Sequence, residues 1–179
     1  MITRARAIVT FLAGLATVAV FVAFTMLPEA RAAGQCAASD ALVQFELARS
    51  SAELAGIFGP RDEPCRLLMI DLMDASNRLD ILGFIPAYTL FCCAAAIYLA
   101  GGVTRPLAVA CIAIAFIAAA GDLLETRTLL ALTASLDQPE GLLPRSLAGA
   151  WTKFSALALH ALLLSAICLL YKPRRPILG

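Results

Sequence analysis

Six side chains in this sequence are of types that hold or move a proton and stand at or within long apolar runs: Asp80, Tyr88, Asp122, Glu125, Lys153 and His160. Lys153 opens an 18-residue window, 154–171, without Asp, Glu, Lys or Arg, and Asp122 closes a 16-residue one, 106–121. Charge at such depth is costly, so ionisable groups in membrane spans face the bundle interior and pair. Lys153 is therefore expected to form a buried ion pair with Asp122, Glu125 or both, and Asp80 reaches the same level from another helix. Tyr88 and His160 lie eight and seven residues deeper than Asp80 and Lys153, about 10–12 Å at the helical rise.

Two roles compete for this set. In the first, Lys153 pins three helices together and His160 donates to a backbone carbonyl. In the second, the same residues form a binding or proton-relay site. A metal site is disfavoured, because one His and scattered carboxylates lack paired-ligand spacing. There is no nucleophile motif, Gly-rich phosphate loop or His-x-x-Glu helix motif, so no cofactor is expected and the reading leans away from an enzyme.

The elements that position these residues follow from composition. Of 179 residues, 61% are hydrophobic and 15% charged, against roughly 45–50% apolar in soluble domains. The mean hydropathy of +0.85 says the same. Windows free of charge run over 7–27, 81–100, 106–121 and 154–171. The first two match the roughly 20 residues needed to cross the hydrocarbon core, and the others reach that length with polar neighbours. The expected fold is all-α: one membrane domain over 1–179, a four-helix transmembrane bundle with spans at about 7–27, 81–100, 106–124 and 151–171. A small extracytoplasmic lid, 28–66, lies between the first and second helices. A net charge of +1 gives no reason to expect nucleic acid.

Charge signs give the orientation. With a cytoplasmic N-terminus, the inner segments hold Arg4, Arg6, Arg105, Lys172, Arg174 and Arg175 and no acid, while all 13 acids fall outside. That is the dense basic flank of the positive-inside rule. Both termini are then cytoplasmic in a bacterial inner membrane, and 28 to about 78 and about 123 to 150 are periplasmic. Residues 1–32 keep a second reading open, because Arg4 and Arg6, an apolar run and Ala30-Arg31-Ala32 imitate a secretory signal. A signal core spans about 7–15 residues. The run here has 21, which favours a retained helix; cleavage would leave three spans.

In the lid, Val43, Phe45 and Leu47 alternate with Gln44 and Glu46, a period-two stretch. Ser50-Ser51-Ala52-Glu53 has capping-box spacing and predicts a two-turn helix to Phe58, stopped by Gly59-Pro60. Its apolar face, Leu54, Ile57 and Phe58, must find cover on the bundle or at the lipid interface. Cys36 and Cys65 bracket this region with 28 residues between them. That spacing suits a structural disulfide in an oxidising compartment and not a reactive C-x-x-C pair. Cys92, Cys93, Cys111 and Cys168 lie in apolar runs as free packing residues.

A helix is expected from Pro64 into the second span, with Asp71, Asp74 and Arg78 on a solvated face and Asp74 paired to Arg78. Pro86 is expected to kink it. Gly101 to Arg105 reads as a tight inner turn. The Ala-rich third span permits close helix contact. Residues 127–145 read as a second outer loop turning at Asp137-Gln138-Pro139-Glu140-Gly141.

Phe45-Glu46-Leu47-Ala48, Leu79-Asp80 with Tyr88 eight residues on, Asp122-Leu123-Leu124-Glu125 and Lys153 together resemble a loose family of uncharacterised bacterial four-span membrane proteins. The likeness covers most of 7–171. Such proteins read Asp-x-x-Glu-Asn where this chain has Thr126. The resemblance implies the four-span fold and a shared polar set and brings no activity with it. Function is left between two classes. One is a non-enzymatic membrane protein acting as a partner subunit or apolar-ligand binder in the lipid bilayer. The other is a small membrane-embedded enzyme or proton-coupled protein using the carboxylate, Lys and His cluster.

Overall fold

The computed structural model describes residues 2–36, 40–100 and 105–170, and these are helical with no strand among them. Four stretches are long and apolar enough to cross a membrane: Arg4–Ala32, Pro64–Leu99, Arg105–Ala134 and Leu143–Leu169. They contain α1 (Ile2–Thr25) and α2 (Pro28–Ala32); α5 (Pro64–Leu79) and α6 (Ile85–Leu99); α7 (Arg105–Ala134); and α8 (Leu143–Leu170). Two short helices, α3 (Ala41–Glu46) and α4 (Ser51–Phe58), occupy the connection between the first two stretches. The turn read at 101–104 and the basic residues at 172, 174 and 175 lie outside the described residues.

The long helices pack as α1 on α6, α6 on α7 and, most extensively, α7 on α8. The outward face of α1 stays open, with Phe11, Leu15, Val18 and Phe21 at least half exposed. A face that is apolar and uncovered suits lipid. Phe84 is gripped by rings from both sides, its centroid 6.0 Å from Phe24 and 5.4 Å from Tyr88.

The helices run past the apolar windows. At 30 residues α7 is about 45 Å long, against a hydrocarbon core of about 30 Å. The expected loop over 127–145 shrinks accordingly, because α7 continues to Ala134 and α8 begins at Leu143. The physical reason is burial: Leu129, Leu132 and Leu143 join Met69, Leu72 and Met73 in a core beyond the polar residues.

The connection between α1 and α5 supplies the other half of that core, with Phe45, Leu54 and Phe58 buried in it. Burying each such side chain contributes about 1.5–3 kcal/mol. Phe45 and Phe58 meet edge to face at 5.2 Å. The alternating stretch at 43–47 is thus a helix and not extended chain. Only the helical set Ala41, Phe45 and Ala48 is buried, while Val43 and Leu47 stay exposed. In α4 the Ser50 Oγ accepts from the Glu53 amide at 3.2 Å, and Gly59 ends the helix at φ 69°. Glu53 reaches one residue further back than expected, accepting from the Arg49 amide at 2.6 Å.

Cys36 and Cys65 are joined, tying the start of this connection to the first turn of α5. Cys92, Cys93, Cys111 and Cys168 are free. Arg61 pairs with Asp137 at 2.7 Å across the two connections, an exposed contact worth little by itself.

Two expectations for the second long helix change. Asp74 does not share a solvated face with Arg78: its carboxylate accepts from Thr133 of α7 at 2.5 Å, while Asp71 and Arg78 are exposed. A hydroxyl on the packed neighbour is nearer than a guanidinium on the outer face. The disturbance expected at Pro86 is a π-helical turn, Asp80–Phe84, immediately before it. A proline removes one amide from the ladder, and a wider turn re-registers the carbonyls it leaves.

Candidate functional site

The site is built where α7 and α8 come closest. A Cβ on Gly121 would lie 2.8 Å from the Lys153 nitrogen, and one on Gly149 would lie 2.6 Å from the Glu125 nitrogen. Only glycine permits that approach. Each glycine precedes a charged residue by one helical turn: Gly121 precedes Glu125, and Gly149 precedes Lys153. The contact therefore sets the two charges face to face.

Lys153 Nζ stands 2.7 Å from Glu125 Oε2 and 3.2 Å from Asp122 Oδ1. Both carboxylates are almost completely buried, and Lys153 is 9% exposed. A third carboxylate arrives from the connecting segment, with Glu46 Oε2 at 3.9 Å from the same ammonium. The ammonium also lies 4.7 Å from the Phe154 ring centroid. One lysine thus meets acids from α3 and α7 and carries them on α8.

Asp80 enters from the second long helix. Its Oδ2 accepts from Thr126 Oγ1 at 2.7 Å, and Thr126 is the neighbour of Glu125 on α7. Because Asp80 opens the π-helical turn, the local widening and the polar contact fall at one place. Tyr88 is buried two helical turns further along, its hydroxyl without a hydrogen-bond partner among the described residues. Glu125 Oε1 is buried without a hydrogen-bond partner among the described residues.

His160 stands apart. Its Nδ1 lies 3.1 Å from the Cys111 carbonyl oxygen. A carbonyl only accepts, so Nδ1 carries the hydrogen and the ring joins α8 to α7. Of the six residues singled out in the sequence, the structure brings Asp122, Glu125 and Lys153 into direct contact. It links Asp80 through Thr126, buries Tyr88 further along the second long helix, and gives His160 a separate partner.

Glu46, Thr126, Gly121 and Gly149 were missed. Glu46 was hidden by the period-two reading of 43–47, although Ala41, Phe45 and Ala48 carry a helical spacing that would have put it next to a buried face. Thr126 stands out in the sequence only as a departure from an Asp-x-x-Glu-Asn pattern, yet its hydroxyl donates to Asp80. The glycines had a usable signal, each four residues ahead of a buried charge.

Electrostatically the site is unbalanced. Three carboxylates, Glu46, Asp122 and Glu125, stand within 4 Å of one ammonium, and Asp80 joins them through Thr126. Burial where α3 meets the bundle pushes the Glu46 carboxyl above its ordinary value; Lys153 opposes the shift and Asp122 adds to it. Among the described residues no three His, Cys, Asp or Glu side chains are arranged to hold a metal ion. Comparison with known proteins finds no matching family model, no matching curated protein and no matching solved structure.

Proposed function

We propose that this chain is a multi-pass protein of a bacterial inner membrane whose Glu46, Asp80, Asp122, Glu125 and Lys153 form a proton-binding site. Protonation of the site governs how firmly the 28–66 segment, acting as an extracytoplasmic lid, sits on the bundle. The observation that carries this reading is the excess of acids. A structural pin needs one carboxylate for Lys153, and each further buried negative charge adds desolvation cost that a pin does not repay. Ionisable groups kept inside a span despite that cost mark function. Glu46 makes the coupling mechanical, because it belongs to the segment that covers the site and contacts the same ammonium as Asp122 and Glu125.

The closed Cys36–Cys65 bond supports an oxidising, extracytoplasmic side for the lid. The basic residues at the opposite ends of the spans support cytoplasmic termini.

Hydrogen exchange over 41–58 as a function of pH tests the coupling. With the intrinsic pH dependence of amide exchange divided out, the expected result is strong protection at acid pH that falls as pH rises. In Asp122→Asn with Glu125→Gln, Lys153 is left free for Glu46, and protection stays high and nearly independent of pH. The same pH profile in protein and variant would overturn the reading.

A second reading, an accessory subunit docking through α1, is favoured by that helix's open face at Phe11, Leu15 and Val18. A stoichiometric partner that co-purifies with the parent and is lost with Phe11→Ala and Leu15→Ala would support it.

A further inference from the structure

Arg127 and Arg145 flank a groove on the outside of the α7/α8 pair that the buried cluster does not use. Arg127 lies two residues beyond Glu125 and is exposed, whereas Glu125 is fully buried. Arg145 stands exposed in the first turn of α8. A cation there meets the positive end of the helix dipole, so its own helix does not stabilise it. Neither arginine forms an ion pair among the described residues, although Arg61 and Arg66 both find Asp137. The groove between them has a volume of about 430 Å³, and Leu123, Leu124, Ala131 and Leu142 make its apolar wall.

We infer that this groove binds an anionic phospholipid, the phosphate held between the guanidinium groups of Arg127 and Arg145 and an acyl chain lying along Leu124 and Ala120 toward the bilayer. Guanidinium forks match phosphate oxygens in number and direction. Two such groups without a protein partner are complementary to a headgroup of net negative charge. A zwitterionic headgroup brings its own cation and gains less. Ala120, Leu123 and Leu124 continue the groove along α7, which is long and apolar enough to span a membrane, so a lipid tail reaches it from the bilayer. A free phosphate would leave that wall empty. The site is separate from the proton-binding cluster, which lies on the buried faces of the same two helices.

Native mass spectrometry of the full chain in mild detergent, titrated with phosphatidylglycerol, phosphatidylcholine or inorganic phosphate, tests the inference. The expected result is one retained phosphatidylglycerol, with phosphatidylcholine held about tenfold less well. Arg127→Gln and Arg145→Gln each lower retention about fivefold, the usual contribution of one basic residue near an anionic surface. Ala131→Trp, which fills the groove and keeps both charges, lowers it as well. Arg105→Gln, at the far end of α7, leaves it unchanged. If either glutamine variant does not fold, Arg127→Lys with Arg145→Lys serves instead, and retains phosphatidylglycerol over phosphatidylcholine by a smaller margin than the parent. Equal retention of the two lipids, displacement by inorganic phosphate alone, or an equal loss in Arg105→Gln would each overturn the inference.

Discussion

Gly149 presses against Glu125, so closely that a Cβ would stand 2.6 Å from the Glu125 nitrogen and 2.8 Å from the Gly121 oxygen. The polar site exists because two backbones touch there. Gly149→Ala must separate α7 from α8 or displace Glu125, and is expected to cost about 1–3 kcal/mol, as overpacking does. Gly141→Ala, with nothing within 4 Å, should be neutral. Unfolding of the two variants by denaturing detergent, compared with the parent, checks this.

Lys153→Met strands two buried carboxylates. Loss of one member of a buried pair costs about 3–5 kcal/mol. Adding Asp122→Asn and Glu125→Gln should recover much of that, because the two fully buried charges are then gone. A Lys153→Met protein as stable as the parent would mean that the ammonium is solvated by another route.

How much of this was legible in the sequence varied with the range of the interaction. The four long helices follow from hydropathy, which reports each residue's own preference for lipid. The α4 cap and its glycine stop follow from local chemistry over Ser50, Glu53 and Gly59. The pairing of Lys153 with Asp122 and Glu125 was legible because charge inside an apolar run leaves few solutions. Glu46 was not, because its role depends on how a segment 107 residues from Lys153 folds back. The π-helical turn at Asp80 was half legible: Pro86 announced a disturbance, but the width of the turn is decided by packing against α1 and α7.

Thr126 gives a smaller test of the site. Thr126→Val removes the 2.7 Å bond to Asp80 and leaves a half-buried acceptor unpaired, which is expected to cost about 1–2 kcal/mol. Thr126→Asn restores a donor and should recover part of it. Thermal unfolding of the two variants distinguishes loss of the donor from loss of shape.

Cys36 and Cys65 should resist thiol tagging until the protein is reduced, and Cys36→Ser with Cys65→Ser should destabilise the lid by about 3–4 kcal/mol in the chain-entropy picture. Mass tags counted with and without reductant check the bond. No change on reduction would contradict it.

Glu46 sets the direction of the pH response. Burial raises its carboxyl above the ordinary value, so the closed lid binds a proton more tightly than the open one. Closure is then strongest below the ordinary carboxylate range and weakens as pH rises through the raised value. The facing groups are Lys153, which favours the charged form, and Asp122, which opposes it. Glu46→Gln should keep the lid closed across that range, with hydrogen exchange at 41–46 no longer dependent on pH beyond the intrinsic chemistry.

The proton-binding claim itself is read most directly by infrared spectroscopy of the purified protein, following the carbonyl stretch of protonated carboxyl groups during a pH titration. The account predicts, above the ordinary carboxylate range, a band that shifts in deuterium oxide, disappears as pH rises further, and is missing from Glu46→Gln. Parent and Glu46→Gln with identical spectra above the ordinary carboxylate range would contradict it, leaving Lys153 and its acids as a fixed ionic pin.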